Sequence, residues 1–140
     1  MTEHPTNVQF SVKSWAEVTY DGRIARDVTG AKATVSDIVY VYKGAIVGEG
    51  VLKYLMHYRE TGTVVYTGLE VITGSVDGRE GGFTFLHNGI VDEAGVVVGT
   101  LEIIPGSGHG GLTGISGKAT IRIIGHQESY PMDFTYSFDQ

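Results

Sequence analysis

Apolar and polar positions alternate from Val8 onward: Val8, Phe10 and Val12 are separated by Gln9, Ser11 and Lys13. A period of two is that of a strand with one buried face. Between Ala16 and Gly30 the alternation fails; the segment is polar and irregular, carries Asp21-Gly22 as a turn signal, and holds enough apolar residues for at most a short helical turn. After Ala31, β-branched and aromatic runs are cut by Lys43-Gly44, Thr61-Gly62, Asp77-Gly78 and Ala94-Gly95. The pattern predicts eight strands near residues 8–15, 31–42, 46–59, 63–75, 79–92, 96–104, 117–124 and 129–138, with residues 1–7 as a flexible tail. No linker, fixed-period repeat or long helical pattern interrupts them, so residues 1–140 read as one all-β domain. Short connections without crossover helices fit a small closed antiparallel barrel of the up-and-down type, which leaves no edge strand bare; a β-sandwich is the alternative.

The tight turns predict which side chains meet, because a slip of one residue would invert every strand face. A three-residue turn at Glu60-Thr61-Gly62 sets Arg59 opposite Thr63, and a two-residue turn at Asp77-Gly78 sets Val76 opposite Arg79. Counting along the ladders puts Ile72 against Phe83, Glu70 against Phe85 and Gly68 against His87. If Ala94-Gly95 is also a two-residue turn, His87 faces Glu102. One face then carries Leu52, Tyr54, Met56, Tyr66, Ile72, Phe83, Phe85 and Ile104 together with Glu70, His87 and Glu102, and reads as a lumen. The other carries Glu49, Lys53, His57, Arg59, Asn88 and Asp92, interspersed with Val65, Leu69, Val71, Leu101 and Ile103. An apolar patch on an outer face is more often a subunit contact than bare surface, so a homo-oligomer is expected.

Composition narrows the chemistry. The 21 glycines are about twice the usual share and imply many bends. With no cysteine there is no disulfide framework, thiolate nucleophile or iron–sulfur site. The five histidines, at 4, 57, 87, 109 and 126, show no paired metal spacing, so no metal and no other cofactor is expected. A net charge of −6 with scattered Lys and Arg argues against nucleic acid and anionic membranes as partners. No apolar run is long enough for a spanning helix and the start lacks a secretory pattern, which makes the cytoplasm the expected address. Gly106-x-Gly108-x-x-Gly111 matches a dinucleotide fingerprint in letters only, because no helix follows it; it reads as a rim loop able to act as a lid.

The segments Gly48-Glu49-Gly50, Tyr54-Leu55-Met56-x-Tyr58, Gly68-Leu69-Glu70, Phe83 with His87-x-Gly89, and Pro105-Gly106-Ser107-Gly108-x-Gly110 through Leu112-x-Gly114 resemble those of a bacterial family known as domain of unknown function 3224. The likeness covers residues 46 to about 117. Members of that family resemble the allene oxide cyclase type of barrel, a short antiparallel barrel whose plant namesakes isomerise an apolar epoxide in the lumen. The resemblance thus implies the fold.

A carboxyl group among aromatic rings is costly to strip of water unless donors compensate, so Glu70 needs a partner such as His87. Two functional expectations follow. The leading one is a barrel that binds a small apolar molecule among Tyr54, Met56, Tyr66, Phe83 and Phe85. The other is a cofactor-free isomerase, cyclase or lyase in which Glu70, His87 and Glu102 exchange protons with the bound molecule. A third reading is a scaffold whose barrel is filled by its own side chains. A cavity of roughly 300 Å³ or more would count against the filled barrel.

Overall fold

The computed structural model describes residues 3–139. It contains nine strands: β1 (His4–Thr19), β2 (Lys32–Gly44), β3 (Ile46–Tyr58), β4 (Val64–Val76), β5 (Arg79–Val91), β6 (Val97–Ile103), the two-residue β7 (His109–Gly110), β8 (Ile115–Ile123) and β9 (Tyr130–Phe138), with one 3-10 turn at Ala25–Asp27. All pairings are antiparallel, and eight strands close a barrel in the order β1-β2-β3-β4-β5-β6-β8-β9 and back to β1. β7 continues the ladder on Gly81 and Gly82 where β6 has ended. Among the described residues no helix is long and apolar enough to cross a membrane.

The first two hairpins have the register that their turns predict. Val76 pairs with Arg79 across Asp77-Gly78, both at positive φ as a type I′ turn requires, and Gly68 pairs with His87. The third does not. Asp92 accepts the N–H groups of Ala94 and Val96 on Oδ1 and donates its own N–H to the Val96 carbonyl. That side-chain turn holds three residues in the loop, with Gly95 at φ 83°, so His87 pairs with Leu101 instead of Glu102. Every side chain of β6 is thereby inverted: Leu101 and Ile103 are buried, while Glu102 is exposed on the outer surface beside Lys118. The expected convergence of Glu102 with Glu70 and His87, and the expected inward position of Ile104, are both corrected by this one-residue difference.

The amino-terminal segment also departs from expectation. His4–Phe10 pair with β9 and Val8–Thr19 with β2, so residues 4–7 are strand and not tail; Met1 and Thr2 lie outside the described residues. Pro5 is tolerated because this end of β1 is paired on one side only. A bulge leaves Lys13 without a partner between the Val12–Tyr40 and Ser14–Val39 pairs. Inward positions are therefore Val8, Phe10 and Val12 before it, and Trp15, Glu17 and Thr19 after it.

The two ends of the barrel differ. At the end that gathers Ile46, Ile72, Phe83 and Phe134, the interior is packed solid with rings; Phe83, Phe85 and Phe134 have centroids within 6.5 Å of one another. The Gly-rich segment 104–114 closes this end, burying Leu112 completely and tying Gly111 N–H to the Glu80 carbonyl at 2.6 Å. The segment expected as a lid is a plug. The opposite end, bounded by the Val12–Trp15 part of β1, the end of β3 and the start of β4, is open.

Candidate functional site

Two inward features meet inside the barrel, a buried polar chain and an apolar cup. Glu70 is fully buried, and each of its oxygens has a partner: the Tyr42 hydroxyl donates to Oε2 at 2.6 Å, and His87 Nε2 lies 2.6 Å from Oε1. The Tyr54 hydroxyl lies 2.9 Å from His87 Nδ1. With Nε2–H donating to Glu70, Nδ1 is left as an acceptor for the Tyr54 proton, and every donor in the chain is used once. No buried side-chain nitrogen or oxygen among the described residues lacks a partner.

Glycine makes this chain possible by leaving room. Tyr42, Tyr54, Glu70 and His87 belong to β2, β3, β4 and β5, so two of the contacts must pass over an intervening strand. Glu70 reaches Tyr42 across β3 above Gly50, where a Cβ would lie 1.9 Å from Glu70 Oε2. Tyr54 reaches His87 across β4 above Gly68, where a Cβ would lie 2.8 Å from the Tyr54 ring. Gly89 and Gly99 leave the same space for the Tyr66 hydroxyl.

The cup is a cavity of about 170 Å³ at the open end. Tyr54, Met56 and Tyr66 line it, as expected from the alternation of β3 and β4. Phe83 and Phe85 do not; both are buried in the packed end, so their expected place against a ligand is corrected. Phe10, Trp15, Tyr40 and Tyr130 are the lining aromatics without a role in the sequence reading. Alternation of Val8, Phe10 and Val12 already signalled Phe10. Trp15 was hidden by the bulge at Lys13, and Tyr40 and Tyr42 by the Val-Tyr-Val-Tyr run of β2, which is apolar on both faces.

Glu70 and His87 are absent from the cup wall; Tyr54 alone belongs to both features. Burial pushes the Tyr54 hydroxyl well above the ordinary phenol value, with the neighbouring phenols Tyr40 and Tyr66 adding to it. Burial likewise raises Tyr42, reinforced by the Glu70 carboxyl, and lifts Tyr66 from 10.0 to about 12. A second carboxyl stands at the rim: Glu17 accepts from Thr34 at 2.6 Å, from the Tyr58 hydroxyl, and from Trp15 Nε1 at 3.2 Å.

Tyr42→Phe would strand one oxygen of Glu70 in a dry interior, and a loss of about 1–3 kcal/mol is expected in urea unfolding. Tyr20→Phe, at a hydroxyl on a 66% exposed ring, should stay within about 0.5 kcal/mol of the parent. Alkaline pH tests the buried phenols. A phenol raised in the folded state contributes stability that is complete below its unfolded value of 10.0 and is lost as pH rises through the folded value, about 12 for Tyr66. Phenolate absorbance of the buried tyrosines should therefore appear together with loss of the strand circular dichroism above pH 10. Ionisation of all eight tyrosines near the ordinary value with the fold intact would contradict this.

Comparison with known proteins agrees with the architecture. The family model described as "Protein of unknown function (DUF3224)" matches residues 6–136. A crystal structure of a protein with unknown function from the DUF3224 family of Shewanella oneidensis MR-1 is similar with a TM-score of 0.78 and 24% identity, covering 99% of this chain and 100% of that one. At that identity the likeness is one of fold. No curated protein matches the sequence. With a closed antiparallel barrel and a family match that spans nearly every strand, the chain belongs to the DUF3224 family.

Proposed function

We propose that the protein binds one small molecule with apolar faces in the cup at the open end of its barrel. The observation that carries this reading is the cup itself, about 170 Å³ and walled by aromatic and aliphatic side chains. It is smaller than the roughly 300 Å³ of ordinary ligand pockets, because phenylalanines and the plug fill the other end of the lumen. A dry apolar cavity of about 150 Å³ nonetheless suffices for a benzene-sized guest.

Binding accounts for the arrangement better than catalysis does. Neither Glu70 nor His87 lines the cup, and the one polar group that connects them to it, the Tyr54 hydroxyl, is held by burial as a reluctant acid. The polar chain then acts as a support that fixes the Tyr54 ring against the cavity. Toluene tests the reading directly. The chain has one tryptophan, Trp15, on the cup wall, so its emission reports occupancy without labelling. Saturable binding is expected with a dissociation constant on the order of 1 mM, within the efficiency bound for so few atoms. Val12→Phe, at a half-exposed position of the rim, should weaken it several-fold by taking up space. A linear response indistinguishable from that of free tryptophan would remove the cup as a binding site.

The partner on the outer surface is, in our reading, a second copy of this chain. Val51, Leu55, Val65, Leu69 and Val71 are 36–56% exposed on the outer face of β3 and β4; Val51 pairs with Val71, and the others stand opposite Thr67, His57 and Lys53. Exposed apolar residues gathered on one face are more typical of a subunit contact than of free surface. Sedimentation velocity should find a dimer or larger assembly that Leu69→Lys converts to monomer; a monomeric parent protein at high concentration would refute the assignment.

A further inference from the structure

Resting on the cup as a binding site, we infer that its preferred guest is a small organic cation, an alkylated ammonium group, over neutral or anionic molecules of the same shape. The walls supply the first argument. Phe10, Trp15, Tyr40, Tyr54, Tyr66 and Tyr130 surround one cavity, with neighbouring centroids at 4.6 Å for Phe10 and Tyr40, 5.5 Å for Phe10 and Tyr130, 4.6 Å for Tyr54 and Tyr66, and 6.3 Å for Trp15 and Tyr54. Aromatic side chains attract a cation to their faces through the ring quadrupole, and the attraction grows as water is removed.

The charged groups behind the walls supply the second argument. With His87 Nε2–H given to Glu70, the Tyr54 hydroxyl donates to His87 Nδ1, and Trp15 Nε1–H donates to Glu17 Oε1. The wall also carries the phenols of Tyr40, Tyr66 and Tyr130. Among the described residues no Lys or Arg lines the cup to receive an anion. Behind each of the Tyr54 and Trp15 rings stands a carboxyl group, Glu70 through His87 and Glu17 directly, so the surroundings favour positive charge at the centre. A trimethylammonium head is close in bulk to the benzene-sized guest that a cavity of this volume holds.

Choline and 3,3-dimethylbutan-1-ol share one outline and differ in charge, which makes them the probes, with 3,3-dimethylbutanoate as the anion. Isothermal titration calorimetry with the intact protein should give choline at least tenfold tighter than the neutral alcohol, and no heat of binding with the carboxylate. Trp15→Leu should cost choline about three- to tenfold while leaving the alcohol within twofold, and Trp15→Phe should recover part of the loss. Because Trp15 is 46% exposed, these variants are expected to keep the fold, which circular dichroism verifies. Equal or tighter binding of the alcohol, or binding of toluene without choline, would overturn the cation preference and leave the cup standing. Failure of choline, the alcohol and toluene together would remove the cup as well.

Discussion

Removing a carboxyl group from water costs several kcal/mol unless its oxygens regain partners inside the protein. Glu70 meets that condition with one oxygen on Tyr42 and the other on His87, whose far nitrogen engages Tyr54. Four consecutive strands of the barrel each contribute one member. Shifting any of them by one residue would turn its member to the outer face and break a link of the chain. The buried chain therefore ties the register of β2 through β5 to a single electrostatic requirement, on top of the general demand for an apolar interior.

The same chain joins stability to the open end. Tyr54 cannot rotate away from the cavity without abandoning His87, and Gly50 and Gly68 cannot acquire side chains without displacing Glu70 or the Tyr54 ring. The closed end contributes differently, by tight ring-on-ring packing under a plug in which Leu112 is fully buried. The closed end thus supplies cohesion, and the open end is a bowl walled by aromatic and aliphatic side chains.

Period-two alternation and unambiguous turns made much of this legible from the residues. β3, β4 and β5 alternate cleanly, and Asp77-Gly78 admits one turn type, so the residues alone place Glu70, His87, Tyr54 and Tyr66 on one face. The failures have local causes. The Asp92 side chain adds a residue to a loop that Ala94-Gly95 alone does not announce, and this turns Glu102 outward. The unpaired Lys13 reverses the faces of β1, hiding Trp15 and Glu17. Between β2 and β3 the ladder stops at Tyr42 and Gly48, so the register of Tyr42 could not be counted from a turn. The number of residues that stays outside a ladder is set by side-chain hydrogen bonds and bulges, which leave no periodic trace.

The plug formed by residues 104–114 has a further implication for traffic. A barrel closed at one end would offer a guest of the cup one doorway, so arrival and departure would follow the same route past Trp15. Such a vessel is suited to holding or sensing a molecule, and unsuited to conducting it.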